Sequence, residues 1–334
     1  MLRFLLVALG LVGALFLTVV VLAWRYQERI VWQPPAGGAG YVPYPDPTVR
    51  QVTYVAEDGQ RLLGILVTPS ATLYAPVTQE QAAAAQRRAD SLPRERSVVP
   101  VIIGTALPAE RRWNGRVLVA FHGNAETAAS RIGWARWIAD RTGWSIFVPE
   151  YRGYSGLPGV PTYEGSQRDA RAAYAWVRDS LGIPPERIGI LGFSLGTAIA
   201  TELASDVRPS VLVLEAPFTS ARDMARIATA WPVAAMWRAI ARVRFDTRRR
   251  VAALDVPVWV VHGDADRIIP PRMGRAVHEA ARRPGELLMV PGAGHNDLAA
   301  LRRADYWSFL ERALDVPETL EAETVREARA VTGR

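Results

Sequence analysis

The sequence predicts an α/β fold in which helices cover both faces of a mostly parallel central sheet, with a transmembrane helix ahead of it. From Arg116 onward, short apolar strands alternate with amphipathic helical stretches. The central strands are apolar on both faces, as strands of a buried parallel sheet are. An uncharged apolar run near the N-terminus predicts the membrane helix. The 334 residues, 49% hydrophobic and 22% charged, suffice for one large folded domain.

The N-terminal run Phe4–Trp24 carries no charge and has about the length that a helix needs to cross a bilayer. A cleaved signal peptide is the competing interpretation, but its apolar region would be shorter and would end in an A-x-A-like site. We therefore expect residues 1–30 to be an uncleaved, single-pass anchor in a plasma or inner membrane. Arg3 precedes the run and two further arginines follow it, so the positive-inside rule does not assign the side of the catalytic domain.

After the anchor, the chain divides into a linker, one folded domain and a tail. Proline and glycine mark residues 31–48 as the linker, residues 49–315 form the domain, and residues 316–334 form a charged tail. Within the domain, residues 70–115 interrupt the regular pattern and are expected to be an insertion. Residues 218–248 contain tryptophan and methionine that suit lid-like helices over an acyl pocket. Ordinary core residues of packing helices explain this segment equally well.

Each element of the domain follows from its hydrophobic pattern. Two alternating segments flank a turn at Asp58-Gly59 and predict an antiparallel hairpin. The later strands are predicted, in order, at RVLVAFHG, WSIFVPE, RIGILGF, SVLVLEAP, VPVWVVHG and GELLMVPG. Helices are predicted at TAASRIGWARWIADRTG, at SQRDARAAYAWVRDSLG, from Leu195 onward and at DYWSFLERALD.

Polar residues follow several of these strands at the point where each strand ends. Because the carboxyl ends of parallel strands line the ligand crevice of an open α/β sheet, these residues are expected to lie together. A serine, acidic residues and a histidine occur there in the order Ser, Asp, His. The positions are His122–Asn124, Ser194, His262–Asp266 and Gly292–His295.

Ser194 is the expected nucleophile. It lies between Gly192 and Gly196, where a buried strand passes abruptly into a helix. Such a turn holds its apex residue in a strained conformation that needs small neighbours, and it projects the hydroxyl above the sheet. The alternative is an ordinary serine at a helix N-cap. The order of partners that follows in the chain favours the nucleophile.

A serine hydroxyl needs a base to take its proton, and the chain has four histidines. His122 and His262 each precede a glycine at a strand end, where either suits a structural hydrogen-bonding role. His278 lies in a charged helical stretch and is expected to be solvated. His295, on a late glycine-rich loop, is the expected base, with a capping histidine as the alternative.

The base needs an acid to fix its tautomer, and Asp264 and Asp266 both qualify by position. Asp266 is the expected acid because it lies further along the loop. Asp264 is expected to shape the turn by local hydrogen bonding. The oxyanion hole is expected to use the backbone N–H groups of Leu195 and Asn124. The Asn124 side chain has an alternative role, to brace the turn.

With these motifs, the sequence resembles the α/β-hydrolase superfamily over roughly residues 49–314, excluding the insertion. More narrowly, it is similar to membrane-anchored serine hydrolases with an HGNA oxyanion loop, a group that includes acyl-protein thioesterases and lysophospholipid lipases. The resemblance implies that Ser194, Asp266 and His295 are the catalytic triad. Its motifs are HGNAE, YRGYSGLPGVPTYEG, GFSLG, EAPFTSARDMA, FDT, PVWVVHGDADRIIP and GAGHNDL.

Three residues depart from the pattern of this group. Glu126 stands where the oxyanion loop usually has glycine, and Ser155 and Leu157 replace a usual glycine and serine. None of them belongs to the triad, so the departures bear on substrate preference rather than on catalysis.

The expected function is therefore membrane-anchored hydrolysis of a carboxylic ester or thioester, with a small-molecule or lipid acyl group as substrate. The alternative is a non-catalytic, hydrolase-like scaffold that binds a lipid or a protein. No cofactor or metal is expected, since the histidines lack ligand spacing and there is no phosphate-binding glycine motif or cysteine. The net charge is +7, but the densest arginine cluster, Arg248–Arg250, is short and has no interleaved aromatic residues, so no nucleic-acid partner is expected. Acyl chain length and oligomeric state do not follow from the sequence.

Overall fold

The computed structural model describes most of the chain, including every residue assigned to the site. The described ranges are 1–35, 46–70, 113–228, 241–299 and 304–315. The predicted tail, nearly all of the predicted insertion, most of the predicted linker and the middle of the lid-like segment lie outside them.

Eight strands form one sheet in the order β1-β2-β4-β3-β5-β6-β7-β8. The hairpin strands β1 and β2 pair antiparallel, and β2 pairs antiparallel with β4, whereas all the other pairings are parallel. The mostly parallel sheet and the hairpin are therefore confirmed. The strands are β1 (Val49–Val55), β2 (Arg61–Val67), β3 (Val117–Phe121), β4 (Ser145–Pro149), β5 (Ile188–Phe193), β6 (Leu212–Glu215), β7 (Val258–Gly263) and β8 (Pro284–Val290).

Helices lie on both faces of this sheet, as the sequence predicts. In β3, alternate residues point to opposite faces, so Val119 joins one apolar core and Leu118 the other. Helices α2 and α8 pack on the Leu118 face, and α3, α4, α6 and α7 pack on the Val119 face. The helices are α1 (Leu2–Val31), α2 (Ile132–Thr142), α3 (Tyr163–Ala175), α4 (Leu195–Val207), α5 (Ala221–Ala228), α6 (Thr247–Val251), α7 (Pro271–Ala280) and α8 (Ala304–Leu314).

Local sequence signals fix several helix ends. Helix α2 ends at Gly143, whose φ of 77° is the left-handed conformation that glycine adopts readily. Helix α3 begins after Thr162, whose hydroxyl accepts the Gly165 N–H at 2.9 Å.

Helix α1 is a single 30-residue helix with a mean hydropathy of 2.9 over its most apolar 18 residues, only 6% of which are buried. It is long and apolar enough to cross a membrane. Its last turn contacts the domain, because the side chains of Gln27 and Glu28 and the following Trp32 are buried. The C-terminal end of α1 therefore already packs against the domain, at the start of the predicted linker of residues 31–48.

Candidate active site

The turn between β5 and α4 holds Ser194 in a strained backbone conformation, with φ 52° and ψ −118°. The backbone around this turn leaves no room for a side chain at either flanking glycine. A Cβ on Gly192 would lie 2.2 Å from the Gly196 carbonyl oxygen, and a Cβ on Gly196 would lie 2.2 Å from the Phe121 carbonyl oxygen. The Ser194 N–H donates to the Glu215 carbonyl at 2.9 Å, which ties the turn to the neighbouring strand β6.

The structure brings together the three side chains that the sequence assigns to the triad. His295 Nε2 lies 2.9 Å from Ser194 Oγ, and His295 Nδ1 lies 2.7 Å from Asp266 Oδ2. Asp266 and His295 are only 6% and 8% exposed, so the His–Asp contact is largely shielded from water. The Phe193 ring lies beside the imidazole, with 5.2 Å between the two ring centroids. The arrangement is able to move a proton from the serine hydroxyl to the imidazole.

Asp266 is held as an ionised carboxylate. Burial by itself would raise its pKa, but hydrogen bonds from His262, His295 and the Ile269 N–H together hold the pKa well below its usual value. The Oδ1 atom accepts the Ile268 and Ile269 N–H groups at 2.8 and 2.9 Å. These bonds also fix the rotamer that points Oδ2 at His295.

His262 contacts the Asp266 carboxylate. It is fully buried, and its Nε2 lies 2.9 Å from the Ile269 carbonyl oxygen and 3.2 Å from Asp266 Oδ2. The structural role expected for His262 therefore has a specific position beside the acid. Its ring packs against Gly274, where a Cβ would lie 2.4 Å from Nδ1.

Asp264 acts differently from the local turn-shaping that the sequence suggests. Its Oδ1 accepts the Gly292 N–H at 2.6 Å, so it joins the loop after β7 to the loop after β8. The Ala265 N–H donates to the Ala293 carbonyl at 2.9 Å and joins the same two loops again. Since one loop carries Asp266 and the other His295, these bonds set the spacing of the two side chains.

Asn124 has a role that the sequence does not predict. Its side chain does not brace its own turn but contacts the end of α1: Nδ2 donates to the Val31 carbonyl at 2.7 Å, and Oδ1 accepts the Gln33 N–H at 2.9 Å. Oδ1 also accepts the Tyr154 hydroxyl at 2.8 Å. Among the described residues, the backbone N–H groups of Asn124 and Leu195 donate to no other group.

Glu126 closes the same loop. Its Oε2 accepts the Gly123 N–H at 2.7 Å and two N–H groups of Arg131 at 2.8 and 3.0 Å. The Arg131 guanidinium in turn lies 4.5 Å from the centroid of Phe193, the ring that packs against His295. A carboxylate at this position is therefore neutralised by the Arg131 guanidinium.

The two other departures and the remaining histidines have structural contacts. Leu157 is partly buried against the apolar core on the Val119 face. Ser155 has a φ of 49°, so it adopts a glycine-like conformation, and its hydroxyl donates to the buried Glu150 at 2.6 Å. The ring of His122 lies 2.9 Å from Glu150 as well. His278 is not simply solvated, since its Nε2 lies 2.9 Å from the Gly285 carbonyl.

Across the described ranges, no cluster of three or more His, Asp or Glu side chains suits a metal ion.

Glu215 is a buried acid behind the site that the sequence analysis missed. It is 1% exposed, and its Oε1 accepts the Tyr306 hydroxyl at 2.5 Å. Strand β6 is otherwise apolar, and nothing in its sequence indicates that Glu215 pairs with Tyr306, 91 residues further along the chain. Burial raises the pKa of Glu215 to about 7, against partial compensation by Arg131 and the Tyr306 hydrogen bond.

This raised pKa predicts a pH-dependent stability. The pKa of Glu215 in the folded state lies above its value in the unfolded state. The contribution of Glu215 to the free energy of unfolding is therefore complete below about pH 4.5. It falls as the pH rises to about 7, by an amount on the order of 3 kcal/mol. Glu215→Gln keeps the side chain neutral and should remove this part of the decline. Melting temperatures at pH 5, 6, 7 and 8 test it, with Glu286→Gln as control, since Glu286 is half-buried and pairs with Arg312 at the surface. Parallel declines in wild type and Glu215→Gln would contradict the assignment.

Comparisons with known proteins agree with this fold. A family model described as "alpha/beta hydrolase fold" matches residues 116–242. An uncharacterized protein of Mycobacterium tuberculosis is 29% identical over 280 residues, which cover 84% of each chain. The human alpha/beta hydrolase domain-containing protein 17B is 31% identical over 195 residues, which cover 58% of this chain and 64% of that protein.

Solved structures show the same fold at low sequence identity. The Pyrococcus furiosus esterase Pf2001 superposes with a TM-score of 0.57 at 15% identity, covering 84% of this chain and 100% of that one. An acetyl xylan esterase from Paenibacillus sp. R4 superposes with a TM-score of 0.55 at 18% identity, covering 87% and 93%. Together, the sheet order, the strained serine turn and these matches show that the chain has the α/β-hydrolase fold.

Proposed function

We propose that this protein is a membrane-anchored serine hydrolase that cleaves carboxylic esters or thioesters of acyl substrates. The observation that carries the proposal is the continuous contact from Ser194 Oγ through His295 to Asp266, at 2.9 and 2.7 Å. The α/β-hydrolase fold and the match to the family model over residues 116–242 support hydrolysis as the reaction class. Esterases among the structures that share the fold are consistent with an ester substrate.

In the proposed mechanism, Ser194 Oγ attacks the acyl carbonyl carbon while His295 Nε2 takes the hydroxyl proton. Asp266 Oδ2 accepts the Nδ1–H of the resulting imidazolium and stabilises its charge. When the tetrahedral intermediate collapses, the bond to the leaving oxygen or sulfur breaks and His295 returns the proton to that atom. A water molecule activated by His295 then attacks the acyl-enzyme and releases the carboxylic acid.

The negative oxygen of each tetrahedral intermediate needs hydrogen-bond donors. We assign this role to the backbone N–H groups of Leu195 and Asn124, which are free of other acceptors in the described part of the chain. Leu195 is the first residue of α4, so the positive end of that helix also favours negative charge there.

The apolar helix α1 supports a membrane location, with residues 1–30 as a single-pass anchor in a plasma or inner membrane. Trp24, at the end of the apolar run, lies against Arg242 of the domain, with 5.8 Å between the guanidinium carbon and the ring centroid. The domain is thus attached close to the bilayer surface. This placement favours substrates whose acyl chains reside in the membrane.

An acyl-chain panel tests the function. We expect the full-length protein in detergent micelles to hydrolyse p-nitrophenyl esters and acyl thioesters, with kcat/KM that changes with chain length from two to sixteen carbons. The alternative, a hydrolase-like scaffold that binds a lipid or protein without turnover, predicts no release of product above the Ser194→Ala background at any chain length. That result would reject the proposal.

A further inference from the structure

The end of the membrane helix is hydrogen-bonded to the loop that carries the assigned oxyanion donor. Asn124, 91 residues beyond Gln33 in sequence, accepts the Gln33 N–H at 2.9 Å and donates to the Val31 carbonyl at 2.7 Å. Tyr154 donates its hydroxyl to the same Oδ1 at 2.8 Å from the domain side. The amide plane of Asn124 is thereby fixed between the anchor and the domain.

The last turn of α1 also packs on the domain. The contacts of Asn124 with residues 31–33 therefore belong to a larger interface between α1 and the domain. Gln27 Oε1 accepts the Arg242 N–H at 2.6 Å and the Val243 N–H at 3.3 Å. Glu28 pairs with the Arg242 guanidinium at 3.1 Å. Trp32, 2% exposed, packs near Phe245 with 6.1 Å between ring centroids.

The loop that Asn124 begins needs external support. Ala125 adopts a φ of 57°, a left-handed conformation that is unfavourable for a residue with a side chain. Such a conformation persists only where surrounding contacts hold it. On one side the Glu126 carboxylate closes the turn, and on the other side the end of α1 holds the Asn124 side chain.

We propose that the exit of the membrane helix, Val31–Gln33, is a positioning element of the active site: it holds the Asn124 loop so that the Asn124 N–H is aimed at the oxyanion. The anchor is then part of the catalytic apparatus and not only a tether. This inference rests on the proposed function. Gln33 acts through its main-chain N–H, since its side chain turns back to the Ile30 carbonyl at 3.2 Å.

The pair Gln33→Pro and Gln33→Ala tests the inference in the full-length protein. Both remove the same side chain, but only proline removes the N–H that Asn124 accepts. Trp32 has φ −97° and ψ 120°, a conformation that suits a residue before proline. With a soluble short-chain p-nitrophenyl ester, we expect Gln33→Pro to lower kcat about fivefold while KM and the midpoint of the pH–rate profile stay unchanged. Gln33→Ala should keep the wild-type kcat.

A double-mutant cycle separates positioning from general loosening of the fold. Asn124→Ala keeps the backbone N–H but removes the acceptor, so it should lower kcat at least as much as Gln33→Pro. In the Asn124→Ala background, Gln33→Pro should then have no further effect. If Gln33→Pro does not fold, Asn124→Ala alone decides, because an unchanged kcat in this variant overturns the inference.

The outcomes are distinguishable from failure of the proposed function. A wild-type protein that hydrolyses no ester and reacts with no fluorophosphonate rejects the proposed function and this inference with it. An active wild type with equal kcat in Gln33→Pro and Gln33→Ala rejects the inference alone. Effects of Gln33→Pro and Asn124→Ala that multiply in the double variant also reject it, because the Gln33 N–H would then not act through Asn124.

Discussion

Ser194→Ala is expected to lower kcat/KM for an acyl ester by about 10⁴-fold or more, with little change in melting temperature. The reason is that the substitution removes the oxygen that lies 2.9 Å from His295 Nε2, and with it the acyl-enzyme route. The turn itself should persist, because its geometry is set by Gly192 and Gly196 rather than by the hydroxyl. The measurement is steady-state hydrolysis by protein purified in detergent.

Ser205→Ala is the matched control for this substitution. Ser205 lies on α4, the helix that follows Ser194, is exposed, and donates its hydroxyl to the Thr201 carbonyl at 3.0 Å. It should retain the wild-type rate. A Ser194→Ala variant that retains more than a tenth of the wild-type kcat/KM would show that another group is the nucleophile.

Asp266→Asn is expected to lower kcat by about 10³- to 10⁴-fold near neutral pH. Asp266 accepts the Nδ1–H of His295 at 2.7 Å, which leaves Nε2 free to take the serine proton. An asparagine amide presents an N–H to the imidazole instead, so the ring adopts the other tautomer and Nε2 can no longer accept. The loss should appear in kcat, as measured by steady-state hydrolysis across pH 5 to 9.

Asp264→Asn provides the control from the same loop. Its Oδ1 accepts the Gly292 N–H, and an asparagine keeps that acceptor oxygen, so the spacing of the two loops should survive. We expect kcat within about threefold of wild type, as for loss of charge in one exposed hydrogen bond. Equal losses in Asp264→Asn and Asp266→Asn would contradict the assignment of Asp266 as the acid.

The sheet and the candidate triad were predictable because both follow from local or periodic signals. Apolar strands buried on both faces specify a parallel sheet, and the sheet then places the residues after each strand on one edge. Ser194, Asp266 and His295 meet because each follows such a strand. The glycines around Ser194 mark the turn that the backbone needs there.

Other contacts at the site were not predictable, because they join residues far apart in sequence with no repeating pattern. The bonds from Asn124 to Val31 and Gln33 depend on where α1 enters the fold, which the apolar run does not reveal. The nearby Gln27 and Glu28, polar residues just beyond the apolar run, were the available indication that the end of α1 packs against the domain. Glu126 is similar: as a departure from a motif it was visible, but its pairing with Arg131 was not.

Identification of the residue that carries a fluorophosphonate adduct tests the central claim most directly. Full-length protein is treated with the probe and digested, and its peptides are sequenced by mass spectrometry. Covalent capture at the serine of the GFSLG segment, absent when His295 is replaced by alanine, is the predicted result. An adduct on any other side chain, or an unmodified GFSLG serine in protein that still hydrolyses esters, would contradict it.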